Sequence, residues 1–409
     1  MKYKAVFICI MLSLVISLDA ISQQFISVKG KEITGTDGKP FLMKGINLGN
    51  WLQPEGYMFK LNEVSSPRLI NELITELIGP DEAAVFWQKY LDVYITQADI
   101  HYLKSLGMNS IRIPFNYRLF TDEDYMGGRG EARGFMLLDR VINWCKQEGL
   151  FVILDMHAAP GGQTGHNIDD SYGYPFLYES EANRDLTVQI WSRIADHYKN
   201  ETIVMGYDLL NEPIPHFYDT AKFNPMLEPL YKKIVHAVRE KDKNHLIFLG
   251  GAQWDSNFDV FGPPFDSKLV YQFHKYWTAT TKDVIQSYLD FRDKYNVPIY
   301  CGETGENDDD WVLNFRKTLE QNNVGWHFWP YKKLDNTAGI VTFAKPQYYD
   351  EIIKYADTSR AKFDEIRKAR PANMEQIKQA LNGFLENCTF KNCLENTGYI
   401  KALGLVPGK

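Results

Sequence analysis

The chain has 409 residues, 44% of them hydrophobic, an ordinary globular balance with ample material for a large buried core. Its net charge of −7 argues against nucleic acid as a partner, because phosphate recognition needs a basic face. Aromatic residues make up 14% of the chain, which fits either a ring-rich core or a cleft that stacks planar ligands.

The chain begins with a targeting pattern. Lys2 and Lys4 precede an apolar run, 5–18, and Ala20-Ile21-Ser22 supplies small residues suited to a signal peptidase. A signal peptide over 1–22 implies export, to a periplasm or the outside, and no membrane anchor after cleavage. The run is shorter than a good membrane span. Cys9 lies inside it rather than after it, unlike a lipid-modified cysteine. Beyond it, Cys145 and Cys301 fall in apolar stretches and read as buried thiols. Cys388 and Cys393 flank the turn "TFKN", close enough for a local disulfide or for two free thiols. No C-x-x-C pair occurs, which argues against structural zinc.

Next, "VKGKEITGTDGKPF" (28–41) predicts a small hairpin with Asp37-Gly38 as its turn. Short apolar runs then alternate with amphipathic ones. The strand-like runs are 41–51, 109–115, 151–157, 203–211, 245–251, 269–276, 298–303 and 325–329. Apolar residues at three-to-four spacing predict helices over 86–106, 135–148, 184–198, 229–241, 282–295, 309–321 and 348–369, with Gly107, Gly149 and Asn200 as stops. Eight strands alternating with helices predict a (β/α)8 TIM barrel in a single domain, 23–409, with its core at about 41–370 and a helical C-terminal tail beyond. A doubly wound nucleotide-binding sheet would show G-x-G-x-x-G after its first strand; "GINLGNWL" does not.

In such a barrel the chemistry gathers where strands end. The predicted strand ends carry Arg112 in "IRIPF", His157 in "ILDMH", Asn211-Glu212-Pro213, His274 and Tyr276 in "QFHKYW", Glu303 in "IYCGETG" and Trp329 in "GWHFWPY". Singly, an Arg here is an ion-pair partner, a His a satisfied structural residue, and a Trp core. Together they place two glutamates among groups suited to one sugar. Two facing carboxylates, one protonated and one ionised, are what glycoside hydrolysis needs.

This set resembles glycoside hydrolase family 5, the cellulase family, over about 45–332. The stretch "DMHAAPGGQTG" is similar, in part, to the exo-β-1,3-glucanase branch. The resemblance implies a retaining enzyme acting on β-glucans or β-linked oligosaccharides, without metal or other cofactor. It implies Glu303 as nucleophile and Glu212 as acid/base. Arg112 would keep Glu303 ionised and Tyr276 would hydrogen-bond it. Asn211 would hold the sugar 2-hydroxyl and His157 another hydroxyl. His274 would influence the protonation of Glu212, and Trp329 would floor the sugar site. The long loops after the third and fifth strands add Gln163 and Trp254 as expected substrate contacts. Mannanase and transglycosylase activities use the same residues. A non-catalytic carbohydrate-binding barrel would lose a catalytic Glu. A metal-dependent hydrolase would want a His-x-His or carboxylate cluster early in the chain, where the first strand offers Asn47 and Asn50.

Overall fold

The computed structural model describes residues 25–406; the predicted signal peptide lies outside them. It opens with a hairpin, β1 (Ser27–Lys29) and β2 (Glu32–Thr34). Its turn is at Gly30-Lys31, not at Asp37-Gly38, because Gly30 supplies the left-handed φ of 59° that the reversal needs. Asp37-Gly38 forms a second turn, closed by Gly38 N–H donating to Gly35 O.

Eight parallel strands then close into a barrel: β3 (Lys44–Asn47), β4 (Ser110–Asn116), β5 (Phe151–Ala158), β6 (Val204–Asp208), β7 (Leu246–Gly250), β8 (Leu269–Tyr276), β9 (Ile299–Gly305) and β10 (Gly325–Phe328). β10 pairs with both β9 and β3, which completes the ring. Each strand falls within or near a predicted run. The first is much shorter than 41–51. The fourth stops at Asp208, three residues before Asn211. At one end the barrel is plugged: Ile26 and Ile33 of the hairpin region pack with Met43, Ile153, Met205, Phe248, Val270 and Tyr300. The hairpin therefore seals the bottom, and the polar groups gather at the other end.

The helical layer departs from the periodicity in three places. The expected helix 86–106 is two, Pro80–Val93 and Gln97–Ser105, with Pro67–Ile78 ahead of them. The break falls at Thr96, whose backbone N–H donates to Asp99 Oδ2 at 2.8 Å in a capping box. The expected helix 229–241 begins earlier, as Thr220–Lys241. Asp219 caps it, and burial of Phe223, Leu227 and Leu230 outweighs the bonds lost at Pro225 and Pro229. The expected helix 348–369 is two, Tyr349–Ala356 and Phe363–Ala369. The second buries no side chain fully; Phe363 is exposed, and only Ala369 packs in part against the core.

The tail folds back onto the barrel. β11 (Lys332–Leu334), β12 (Val341–Phe343) and β13 (Leu394–Glu395) form a small sheet, and the helices Met374–Asn387 and Thr397–Ala402 flank it. Lys332 is fully buried, yet its ammonium lies 2.9 Å from Asp99 Oδ1 and donates to Tyr94 O and Cys388 O. That one cation ties the end of the barrel to a surrounding helix and to the tail. Cys388 and Cys393 are both buried and no disulfide joins them, so of the two readings left open the bridge is not formed. Each sulfur instead faces backbone carbonyls, Leu385 O for Cys388 and Thr389 O for Cys393, both at 3.4 Å. Among the described residues, no helix is long and apolar enough to cross a membrane.

Candidate active site

The site is built around Arg112. It lies in the middle of β4, opposite Asn47 of β3, and is fully buried. Its Nε donates to Asp208 Oδ2 at 2.8 Å, Nη1 to Asn47 Oδ1 at 3.0 Å and to Glu303 Oε1 at 2.5 Å, and Nη2 to Asn211 Oδ1 at 2.9 Å. Nη2 also lies 3.1 Å from Asp155 Oδ2. One guanidinium thus faces three buried carboxylates. Burial pushes Asp155 and Asp208 up to about 7 against the pull of Arg112. The cluster therefore holds protons around neutrality, and an uncompensated pair of charges is avoided.

Glu303, on β9, is 5% exposed. Oε1 takes the Arg112 bond and Oε2 accepts from Tyr276 Oη–H at 3.0 Å. Burial pushes the Tyr276 phenol well up, so it stays a donor. His157 sits two residues after Asp155 on the same face of β5, and its Nδ1 is 2.7 Å from Asp155 Oδ2. Burial takes His157 down to about 4, so it is neutral, with Nδ1–H donating and Nε2 facing Asn211 Nδ2 at 3.4 Å. Trp329 follows β10 directly; its ring lies nearly parallel to that of His157, centroids 5.5 Å apart. A β-carbon at Gly49 would stand 2.6 Å from the Trp329 ring, so only glycine lets the indole lie there. Tyr57 Oη accepts the indole N–H at 2.7 Å.

Glu212 is not the last residue of a strand. It stands four residues past β6, with φ of 47°, and Ile214 has φ of 53°. Such backbone costs on the order of 1–3 kcal/mol for a residue with a β-carbon. Pro213 therefore shapes a left-handed turn rather than ending the strand. The turn aims Glu212 Oε1 at His274 Nδ1, 2.9 Å away, and burial raises the Glu212 carboxyl. His274 follows a bulge in β8 and pairs in register with Glu303. Burial takes it down to about 3.

These groups line an open cavity of about 690 Å³, within the usual range for small-ligand sites. His157, Glu212, His274, Tyr276, Glu303 and Trp329 all reach its wall, with Arg112 and Asn211 directly behind them. Trp254 stands at the rim, its indole N–H donating to His216 Nδ1 and its ring edge-on to His166. Gln163 does not reach the cavity. It is fully buried, its Nε2 donates to His157 O and Asn211 O, and its Oε1 accepts from Ala159 N–H. The expectation that it touches sugar is corrected: its amide is spent on three backbone groups and holds His157 and Asn211 in place.

Sequence reasoning missed several members. Asp155 and Asp208 are carboxylates inside apolar strands, and Asp155 shares the face of His157; that signal was legible. Glu55, Tyr57, Glu306 and Trp277 also line the cavity. Glu55 is 4% exposed, and burial raises its carboxyl well above the usual range. Glu306 pairs with Lys333. Glu55, Glu306 and Trp277 sit in loops and Tyr57 in the short 3-10 turn Gly56–Phe59, where no periodicity marks which side chain faces inward. Asp155, His157 and Glu303, or Glu212, His274 and Glu303, present ligand-type atoms within 4.8 Å of one another. The permanent cation of Arg112 already sits against Asp155 and Glu303, which opposes a second positive charge there.

A family model described as cellulase (glycosyl hydrolase family 5) matches residues 75–335. A β-xylosidase of Phanerodontia chrysosporium is 34% identical over 240 residues, 58% of this chain and 48% of that protein. An endoglucanase C of Acetivibrio thermocellus is 26% identical over 313 residues, covering 61% of this chain and 88% of the relative. A probable glucan 1,3-β-glucosidase A of Neosartorya fischeri is 29% identical over 215 residues, 51% of this chain and 49% of the relative. The matched region thus spans about half the length of the first and third of these proteins.

Proposed function

Since the chain belongs to glycosyl hydrolase family 5, the cellulase family, we propose that it is a retaining β-glycosidase working by double displacement. The observation that carries this reading is the approach of Glu212 and Glu303, which bring carboxylate oxygens within 4.8 Å of one another. Retaining enzymes hold their carboxyl groups about 5–5.5 Å apart, whereas inverting ones need about 6.5–9.5 Å to admit a water.

In this reading Glu303, gripped by Arg112 and Tyr276, attacks the anomeric carbon. Glu212, its carboxyl raised by burial, gives its proton to the departing oxygen. Glu212 then takes a proton from water, which attacks the same carbon and releases the sugar. Asn211 and His157 hold hydroxyls, and Trp329 lies under the ring. The substrate we assign is a β-glucan or its oligosaccharides, in keeping with the names of two of the relatives. The wall made by His166, His216 and Trp254 favours short chains or chain ends over mid-chain cutting. A polymeric substrate cannot enter a cell, which agrees with an exported enzyme. The tail belongs to the same domain in this reading, because Lys332 bonds to it from the end of the barrel.

The test is Glu212→Ala. It should lose about 10²–10⁴-fold on natural substrates, where the leaving group needs a proton. A β-aryl glucoside with an acidic phenol should still glycosylate Glu303, and the variant should then stall. Added azide needs no base, so it should restore turnover and yield the β-glycosyl azide. An α-azide from this variant would reverse the two roles.

A further inference from the structure

Past β7 the chain makes a turn that its side chains do not favour. Gln253, Trp254 and Asp255 have φ of 51°, 62° and 57°, three consecutive left-handed residues with β-carbons. The turn is pinned to the segment after β6: Gln253 N–H donates to Ile214 O at 2.7 Å, and its side-chain amide reaches the same oxygen. What the turn delivers is Asp255, fully buried. Its Oδ2 accepts from the backbone N–H of Glu212 at 3.2 Å and lies 3.2 Å from His274 Nε2. Its Oδ1 would collide with any β-carbon at Gly250, 2.0 Å away, so the strand end is glycine where this carboxyl packs.

We propose that Asp255 is a positioning residue of the acid/base assembly, anchoring the backbone of Glu212 and setting, through the tautomer of His274, which form of Glu212 is favoured. The proposal rests on the assignment of Glu212 made above. Asp255, His274 and Glu212 lie in a row, with Glu212 Oε1 2.9 Å from the ring's Nδ1 and Asp255 Oδ2 3.2 Å from Nε2, an electrostatic approach rather than a hydrogen bond. Burial keeps the imidazole neutral, so it carries one proton. With that proton on Nε2, the positive N–H end of the ring lies against an Asp255 carboxylate, and Nδ1 accepts from a protonated Glu212. With it on Nδ1, the ring donates to a Glu212 carboxylate, and the Nε2 lone pair lies against Asp255 and disfavours its ionised form. Asp255 is the end of the row that decides between them. Facing Asp255 are also Arg112 from β4, Asp208 from β6 and the phenols of Tyr178, Tyr231 and Tyr288 from the surrounding loop and helices; facing Glu212 and His274 are Arg112, with Asp155 and His157 from β5, Tyr276 from β8, Glu303 from β9, and Glu55 and His166 from loops. Glu303 Oε2 lies 3.7 Å from His274 Nδ1.

Asp255→Leu tests this. Leucine keeps the shape but offers Nε2 no acceptor, so the ring proton moves to Nδ1. Glu212 is then favoured as a carboxylate. The alkaline limb of kcat/KM should move down by about one pH unit. A β-glucoside with a poor leaving group should lose roughly tenfold or more, and one with an acidic phenol less than about threefold. Equal losses on both, or an unmoved alkaline limb, would overturn the proposal. A test needing no variant is 15N-histidine NMR of the wild-type protein: His274 should stay neutral from pH 5 to 8, and a His274 titrating near the ordinary value also overturns it. Glu212→Ala is run alongside. If that variant lacks the leaving-group contrast, the assignment of Glu212 fails and this proposal with it; if it shows the contrast and Asp255→Leu does not, the role of Asp255 alone fails.

Discussion

Glu303→Ala is expected to be inactive on natural substrates, by on the order of 10⁵–10⁶-fold, while remaining folded. The other carboxyls of the cavity wall are otherwise engaged, Glu306 by Lys333 and Glu55 by burial that favours its neutral form. His157 Nδ1 is turned to Asp155, and Tyr276 is a donor whose phenol burial keeps protonated. Stability should be unchanged or higher. Arg112 faces Asp155, Asp208 and Glu303 together, so removing one of three carboxylates lowers the uncompensated charge and leaves the guanidinium two partners. A catalytic carboxylate whose loss costs no stability is the mark of a group held for chemistry. The measurements are kcat/KM on a β-glucoside and the thermal midpoint of the same preparation. Activity within about a hundredfold of wild type would remove Glu303 from the role.

Arg112→Met should have the largest effect on stability. It strands three buried carboxylates, and breaking a buried pair from one side costs about 3–5 kcal/mol. The pH dependence gives the effect a signature. Asp155 and Asp208 sit at about 7 in the folded protein, against the ordinary 3.8 of an unfolded chain. Between about pH 4 and 7 the folded state therefore binds more protons than the unfolded one. By linkage, their contribution to stability is most favourable below pH 4 and declines as pH rises through that window. Without Arg112 both carboxyls rise further, and the decline continues above pH 7. The gap between wild type and Arg112→Met should thus be larger at pH 8 than at pH 5 in denaturant unfolding. A gap that is constant, or that widens toward acid, would mean that Arg112 does not neutralise this cluster. Activity should also fall, by about 10²–10³-fold, as expected when an aligned electrostatic partner is lost.

The barrel was legible because its strands are buried on both faces and read as apolar runs, and because their spacing left room for a helix between most of them. Boundaries were less legible where local chemistry overrode periodicity. Thr96 and Asp99 cap a helix inside an unbroken amphipathic pattern, and Asp219 starts one ahead of two prolines. The site followed the same division. Arg112, His157, His274 and Glu303 lie on strands, where alternation says which residues face the axis. Glu212 was identified, but its left-handed backbone was not, because Asn211-Glu212-Pro213 reads as a strand end until the pairing is seen to stop at Asp208. Gln163 and Asp255 show the limit most clearly. Both lie in polar loops; one reads from sequence as a cleft residue and is spent on three backbone groups, and the other carries no sequence signal and stands against Glu212. Composition cannot distinguish them, since both depend on where a loop without period places its side chains.

The most direct test of the account is the anomeric configuration of the first sugar released by the wild-type protein, followed by NMR before mutarotation blurs it. With Glu212 and Glu303 this close, attack by Glu303 and then by water inverts the same carbon twice, so a β-glucan fragment should yield the β anomer first and the α anomer only later. An α anomer appearing first would mean a single displacement by water and would contradict the assignment of Glu303 as nucleophile.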